Sequence, residues 1–373
     1  NKTVLLGPGV NIYRTPHLAS RMVVPYVQGV QQNGVAACVK HYALNNQEIN
    51  RHTTNVIVDD RALYEIYLPA FKAAVQEGKA WSIMGAYNLY KGQHACHNQY
   101  LLNDILRGEW GFDGVVVSDW GGTHDTDQAI TNGLDMEFGS WTDGLANGSS
   151  NAYDNYYLAM PYLERIKSGK VGTKELDEKV RRILRLAFRT TMDVNRPFGS
   201  ILSPEHYEAA RRIGEEGIVL LQNKGGVLPI DLNKVKKIAV IGENAVKMMS
   251  RDGGSSEAKS KYEVVPLEGI RKYVAGRIEV DYQPGYSSTA SKSVNDSLHT
   301  EAVKAAKGAD IVLYIGGMNK NLHMDCEGVD RESYNLPYEQ DALIADLSVV
   351  NPSLVAVMVC GNAYAMPWHK KVP

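Results

Sequence analysis

Short apolar runs alternate with amphipathic segments through the first half of the chain. Five such runs precede residue 140, at positions 4–7, 35–40, 81–87, 114–119 and 136–138. Between the second and the third run, apolar side chains recur at helical spacing from Leu63 to Ala74, preceded by Asp60 and followed by Gly78. This alternation of strand and helix is typical of a parallel sheet covered by helices.

Three further helices are predicted in this half, at positions 99–109, 158–168 and 174–189. Strands that alternate with helices in this way indicate a TIM-like (β/α)8 barrel, in which eight strands close into a cylinder. Only about five of the eight strands are visible. We therefore expect residues 1–189 to form a barrel domain whose N-terminal part is missing, which would leave unpaired strand edges.

A second α/β unit follows a segment without periodicity. Residues 190–204 contain Pro197 and Pro204 and predict an interdomain linker. After the linker, strands are predicted at 218–221, 237–242, 310–316 and 354–360, and helices at 301–307 and 339–347. We expect residues 205–373 to form an α/β domain with a mainly parallel sheet that is covered on both faces.

The composition describes a globular α/β protein and narrows the choice of partners. The chain has 373 residues, of which 44% are hydrophobic and 22% charged, which suits two hydrophobic cores. Its formal net charge is −2, and Lys and Arg are dispersed, so neither nucleic acid nor a membrane is expected as a partner. No apolar stretch approaches the roughly 20 residues of a membrane span.

Neither a metal nor a cofactor is predicted. His94, Cys96 and His97 lie close together, but their spacing is not one that metal sites use. Segments 241–245 and 253–256 lack the glycine patterns of nucleotide-binding loops. The cysteines form no C-x-x-C motif and are widely spaced, at Cys38, Cys96, Cys326 and Cys360.

Polar side chains follow three of the predicted strands. Lys40 and His41 end the second strand, Tyr87 ends the third, and Asp119 with Trp120 ends the fourth. In parallel α/β folds, functional side chains gather at the carboxyl ends of strands. Cations and amides hydrogen-bond sugar hydroxyls, an aromatic ring covers an apolar sugar face, and a carboxylate can attack an anomeric carbon. Taken singly, Asp119 could cap a turn and His41 or Trp120 could serve packing, but their joint placement favours a sugar site.

The second domain contains a loop rich in ionisable residues. Positions 322–331 (LHMDCEGVDR) directly follow a predicted strand. Acidic loops that contain glycine are often solvated turns. The residues alone therefore leave the role of this loop open.

Four segments together resemble glycoside hydrolase family 3. They are 40–51 (KHYALNNQEINR), 84–88 (MGAYN), 111–120 (GFDGVVVSDW) and 325–331 (DCEGVDR). Further matches occur in the order of the family, at 217–223, 228–229, 253–256, 266–270 and 366–368. Any one motif is weak, but the ordered set is specific and covers essentially the whole chain.

This resemblance implies a barrel followed by an α/β sandwich, with the active site between them and no cofactor. It implies that Asp119 is the nucleophile of a retaining β-glycosidase and that Glu327 is the acid/base. Such an enzyme needs one ionised and one protonated carboxyl group, about 5 to 5.5 Å apart. Nearby cations would keep Asp119 anionic. The remaining residues carried over from the family bind the sugar or line its pocket: Lys40, His41, Arg51, Tyr87, Trp120 and Ser255.

The loop at 43–48 (ALNNQE) looks like the glucosidase type of the family. We therefore expect an exo-acting enzyme whose substrates are β-glucosides or cello-oligosaccharides. A β-xylosidase is the nearest enzymatic alternative, and a noncatalytic sugar-binding relative is an alternative of a different class. The sequence leaves a homodimer open, and we favour a periplasmic or secreted location over a cytoplasmic one.

Some parts of the family pattern are not found. The family has a GRNFE stretch with a sugar-binding arginine shortly after the run at 11–16 (NIYRTP), but here Pro16 is followed directly by HLASR. The first portion of the barrel, with an aspartate that grips distal sugar hydroxyls, is also absent, as is the part of the sandwich expected after the MPW motif at 366–368. We expect the chain to be a fragment whose true N-terminus lies outside the sequence.

Overall fold

The protein forms two compact units, Asn1–Gly199 and Ser200–Pro373, in a computed structural model. The structure describes residues 3–6, 16–139, 156–251, 253–321, 324–361 and 363–373. The boundary between the units lies within the segment 190–204 that the sequence predicts as a linker. Across the described ranges, no helix is both long enough and apolar enough to cross a membrane.

The first unit is built on a parallel sheet whose strands are neighbours in chain order. The sheet consists of β1 (Thr3–Leu6), β2 (Ala36–Tyr42), β4 (Ser82–Gly85) and β7 (Val115–Val117). Each adjacent pair is parallel. A small second sheet contains β3 (Asn55–Val56), β5 (Leu89–Tyr90) and β6 (Gln93–His94). Four of the five predicted strands are thus confirmed with slightly different ends, whereas 136–138 contributes a single bridge from Met136 to Val117.

Helices fill the crossovers between these strands. In chain order they are α1 (Pro16–Gln31), α2 (Asp60–Ala62), a π-helical turn (Leu63–Tyr67), α3 (Pro69–Gln76), a helix with π-type hydrogen bonds (Gln99–Glu109), α4 (Thr126–Thr131), α5 (Met160–Lys167) and α6 (Lys174–Arg189). Asp59 caps α2 by accepting a hydrogen bond from the Ala62 N–H (2.8 Å). Two of these helices begin and end at the residues that the sequence predicts, 99–109 and 174–189. Helix α1 was not predicted, because it contains Pro25 and buries few of its residues.

The two faces of this sheet pack against different groups of side chains. Ala37 and Val39 of β2 face a core formed with α1, α3 and the helix Gln99–Glu109. Cys38 lies on the other face, in a smaller cluster with Ile183 and Leu186 of α6. Because side chains alternate along a strand, both faces of this sheet are buried. The polar residues that follow the strands are thereby held by a rigid base.

The second unit contains another all-parallel sheet. Its strands β8 (Lys237–Ile241), β9 (Glu279–Gln283), β10 (Ile311–Gly317) and β11 (Leu354–Val359) lie in the order β11-β10-β8-β9. The helices are α7 (Pro204–Glu216), α8 (Pro266–Val274), α9 (Lys292–Lys307) and α10 (Gln340–Val350). Ala239 and Ile241 face one core, and Ile238 and Val240 face another. A parallel sheet covered on both faces is therefore confirmed for this unit.

One strand prediction in this unit is wrong. Residues 218–221 form no strand, and their side chains are exposed, with Ile218 and Leu221 each 77% accessible. Their apolar run has no neighbouring strand in the described chain to pair with, so local composition was a poor guide. Conversely, β9 was missed because Glu279 and Asp281 interrupt its apolar pattern, as is common at the edge of a sheet.

Candidate active site

Asp119 lies two residues beyond β7 and is largely buried, with 8% of its surface exposed. Its Oδ1 accepts a hydrogen bond from the Trp120 N–H (2.7 Å), and its Oδ2 lies 3.3 Å from His41 Nε2. Its own N–H donates to Cys96 Sγ (3.4 Å). These contacts fix both the main chain and the carboxylate of Asp119. A buried, oriented carboxylate is the state that a nucleophile requires.

Of the three basic residues expected to bind the sugar, Lys40, His41 and Arg51, the strand ends bring His41 onto the Asp119 carboxylate. His41 belongs to β2, whose register with β4 shifts between Val39 and Tyr42. Such irregularities re-aim side chains at the end of a strand. Among the contacts of the described residues, no hydrogen bond or ion pair joins Lys40 to Asp119. Arg51 Nη1 pairs with Glu48 Oε2 (2.8 Å). The cation predicted beside the carboxylate stays a prediction, because the His41 imidazole is charged only when it is protonated.

Tyr87 connects the loop after β2 with Asp119. Its side chain is buried, and burial together with the negative charge of Asp119 raises the pKa of the phenol. Tyr87 therefore keeps its proton at neutral pH and can donate it in a hydrogen bond to the carboxylate. The Arg51 guanidinium lies 4.5 Å from the centre of the Tyr87 ring. Arg51 and Tyr87 are thus brought together, as the sequence predicts for one pocket.

An aromatic surface lies beside the carboxylate. Trp120 is 57% exposed, and its ring stacks on that of Phe138 with a centroid separation of 5.5 Å and an interplanar angle of 10°. Gly139 has a φ of +60°, and a Cβ at this position would lie 2.1 Å from Trp120 Cδ1. Only glycine therefore leaves room for the Trp120 ring. An exposed flat ring next to a carboxylate suits the apolar face of a sugar.

A group of imidazoles lies behind Tyr87. The rings of His94 and His124 stack at 3.9 Å, and His97 Nε2 accepts the His124 N–H (3.1 Å). Because Nε2 of His97 is an acceptor, its proton resides on Nδ1, 3.0 Å from Gln128 Oε1. Burial, with further contributions from neighbouring histidines, lowers the pKa of His97 and of His124 to about 4. Among the described residues, no group of three or more His, Cys, Asp or Glu is arranged to hold a metal ion.

A buried ion cluster fixes the strand that precedes Asp119. The Asp135 carboxylate has no solvent exposure and accepts hydrogen bonds from Arg107 Nη2 (2.8 Å) and Arg182 Nε (2.7 Å). It also accepts the N–H of Val116 in β7 (2.8 Å). Lys179 Nζ donates to the carbonyls of Ala129 and Leu134 close by. This cluster ties β7 to α6, and no motif or spacing in the sequence predicts it.

A cavity of about 320 Å³ is lined in part by Arg51. Amide and hydroxyl side chains of the loop 44–57 also line it, together with Asn88 and with the apolar side chains of Leu44, Val56 and Ile57. The Oδ1 atoms of Asn45 and Asn88 are buried without a hydrogen-bond partner. Such a lining accommodates a hydroxyl-rich ligand.

In the second unit, Glu327 is held by a glycine-rich loop. Its Oε2 accepts the main-chain N–H of Ser255 (2.7 Å), and its own N–H donates to the Gly253 carbonyl (3.2 Å). Gly254 has a φ of +85°, and a Cβ there would lie 2.6 Å from the Cβ of Glu327. Ser255 thus contacts Glu327 through its main chain. Residues 322 and 323 of the predicted loop lie outside the described residues.

Comparison with known protein families identifies the class of enzyme to which both units belong, the glycoside hydrolases. The glycosyl hydrolase family 3 N terminal domain matches residues 13–186, and the glycosyl hydrolase family 3 C-terminal domain matches residues 218–373. The chain therefore belongs to glycoside hydrolase family 3.

Similar proteins of this family include beta-glucosidases and an arabinopyranosidase. Beta-glucosidase BoGH3A of Bacteroides ovatus is 51% identical over 400 residues, an alignment that covers 100% of this chain and 53% of the relative. An exo-alpha-(1->6)-L-arabinopyranosidase of Bifidobacterium longum is 33% identical and covers 98% and 48%. A solved beta-glucosidase structure from Bifidobacterium adolescentis has a TM-score of 0.80 at 31% identity, covering 100% of this chain and 53% of its own. The chain spans about half the length of the relatives it matches.

Proposed function

We propose that this protein acts as a retaining exo-β-glycosidase that removes β-D-glucosyl residues from the nonreducing ends of β-glucosides and cello-oligosaccharides. The observation that carries the proposal is the buried Asp119 carboxylate, oriented by His41 and Trp120 beside an exposed aromatic ring. The similarity to BoGH3A of Bacteroides ovatus supports glucose as the sugar.

The proposed reaction has two steps. Asp119 attacks the anomeric carbon while Glu327 gives its proton to the departing glycosidic oxygen, and a covalent glycosyl-enzyme forms. In the second step Glu327 takes a proton from water, and the resulting hydroxide displaces Asp119 from the sugar. The configuration of the sugar is inverted twice and therefore retained. This two-step reaction requires the two carboxyl groups to be about 5 to 5.5 Å apart.

The remaining site residues have proposed roles in binding. Lys40, His41 and Arg51 would donate hydrogen bonds to sugar hydroxyls, and Trp120 would cover an apolar sugar face. Ser255 would contribute from the second unit. The parallel sheet of residues 1–189 would be part of a TIM-like barrel, and that of residues 205–373 part of an α/β sandwich, joined by the linker 190–204. No step calls for a cofactor or a metal.

The nucleophile assignment is tested by substitution and by covalent labelling. Asp119→Asn should abolish hydrolysis of aryl β-glucosides, whereas Asp113→Asn, which alters an exposed carboxylate in the same segment, should not. A 2-deoxy-2-fluoro β-glucoside should label Asp119. In a separate assay with an ordinary β-glucoside, the released glucose should appear first as the β-anomer. Hydrolysis by the Asp119→Asn protein at the normal rate would show that another residue is the nucleophile.

The sugar is tested with a panel of aryl glycosides. β-Glucosides should be cleaved with the highest kcat/KM, ahead of β-xylosides and α-L-arabinopyranosides. The arabinopyranoside belongs in the panel because of the Bifidobacterium longum relative. A preference for the xyloside would instead identify a β-xylosidase. Sugar binding without any hydrolysis would identify a noncatalytic relative.

A further inference from the structure

Two consecutive residues of the loop after β2 contact the Tyr87 ring. The Arg51 guanidinium lies 4.5 Å from the ring centre. The His52 imidazole is closer, with 4.2 Å between ring centres and an angle of 47° between the planes. Tyr87 and Asp119 follow the paired residues Met84 and Val117 of adjacent strands, and the charge of Asp119 helps to raise the pKa of the Tyr87 phenol. His52 is therefore one side chain away from the proposed nucleophile.

The imidazole group described above anchors the main chain of His52. His94 Nε2 lies 3.0 Å from the His52 carbonyl oxygen, to which it can donate. His94 stacks on His124, and the His124 N–H is bound by His97. His97 is fixed in turn, because its own carbonyl accepts a hydrogen bond from Asn132 Nδ2 (3.0 Å). A continuous set of contacts thus runs from the end of α4 to His52.

We propose that His52 is a positioning residue for the nucleophile, which acts by holding the Tyr87 ring so that its hydroxyl stays beside the Asp119 carboxylate. The proposal rests on the proposed role of Asp119. A tyrosine hydroxyl moves whenever its ring tilts, and the ring is fixed only by the groups packed against it. A reacting group displaced by about 1 Å can lose on the order of 100-fold in rate. Loss of the His52 ring should therefore slow attack without removing any group that binds the sugar.

The rate of covalent labelling by a 2-deoxy-2-fluoro β-glucoside measures this step directly. His52→Ala should lower the maximal labelling rate about tenfold while the half-saturating concentration changes less than about twofold. His52→Phe keeps a ring of similar size and should restore most of the rate. His299→Ala removes a histidine that pairs with Asp346 in the second unit, and it should label like the unaltered protein. If His52→Ala does not fold, His52→Gln replaces it as the variant without a ring.

A double-mutant cycle tests whether His52 acts through Tyr87. In a Tyr87→Phe background, which lacks the hydroxyl, removal of the His52 ring should change the labelling rate by less than about twofold. Equal effects in both backgrounds, or normal labelling of His52→Ala, would overturn the proposal for His52 alone. If the unaltered protein is not labelled at Asp119, the proposal that Asp119 is the nucleophile is wrong. That outcome differs from one in which Asp119 is labelled but His52 has no effect.

Discussion

The buried carboxylate of Asp135 should stabilise the first unit far more than the exposed carboxylate of Asp113 does. Asp135→Asn would leave Arg107 and Arg182 without their buried counter-charge. Removing one partner of a buried ion pair costs about 3 to 5 kcal/mol. Asp113 provides a matched control, because it also contacts two arginines, Arg185 and Arg189, at 3.5 Å each. Its side chain is 57% exposed, and such pairs contribute about 0 to 1 kcal/mol.

Hydrogen exchange of the amides of β7 (Val115–Val117) reports the stability of this part of the unit in each variant. Measuring the exchange rates at increasing urea concentration gives the free energy of unfolding. With a urea dependence of about 2 kcal/mol per molar, Asp135→Asn should lower the midpoint by roughly 1.5 to 2.5 M, whereas Asp113→Asn should lower it by no more than about 0.5 M. Equal, small shifts for both variants would refute the reasoning. That outcome would mean that water or a shifted arginine compensates for the lost carboxylate.

Two further predictions concern protonation and the fit of a glycine. Because the pKa of His97 is lowered to about 4 from an ordinary 6.5, the unfolded chain binds more protons than the folded one between these values, so stability falls as pH drops through this window. The free energy of unfolding, measured with urea, should fall between pH 7 and pH 5, and this fall should be about 2 kcal/mol smaller in His97→Gln than in the unaltered protein. An equal fall in both proteins would exclude His97 as its source. Gly254→Ala should lower activity at least about tenfold, most for substrates with poor leaving groups, because the new Cβ would displace Glu327. Gly328→Ala is the control, because Gly328 has a similar φ of +89° but a Cβ there would meet nothing within 4 Å. Similar losses of activity in both variants would point to backbone strain instead.

The sequence predicts the strands and helices whose pattern is set by burial. Helix α6 has its predicted bounds because one face of it packs on the sheet, through Ile183 and Leu186. The edge strand β9 and the short strands β3, β5 and β6 have no such pattern, since they are partly exposed. The apolar run at 218–221 shows the opposite case, in which composition indicates a strand that tertiary structure does not provide.

In the site, the placement of residues at strand ends could be predicted, but their individual contacts could not. Parallel strands end at one edge, so His41 and Asp119 were expected to meet, and they do. Which basic side chain reaches the carboxylate depends on the register shift at the end of β2, which the sequence does not show. The bond from Ser255 to Glu327 uses a main-chain N–H, and every residue except proline has one, so no residue type marks it.

Each of the two proposed catalytic carboxyl groups is held within its own unit. Asp119 is fixed by His41 and Trp120, and Glu327 by the main chain of residues 253–255. In a retaining reaction the nucleophile takes part in both steps, whereas the proton donor matters most when the leaving group is poor. Changes that disturb the support of Asp119 should therefore slow all substrates alike. Changes that disturb the support of Glu327 should slow cello-oligosaccharides more than activated aryl glycosides, so kinetics on the two substrate types can tell which unit a substitution has affected.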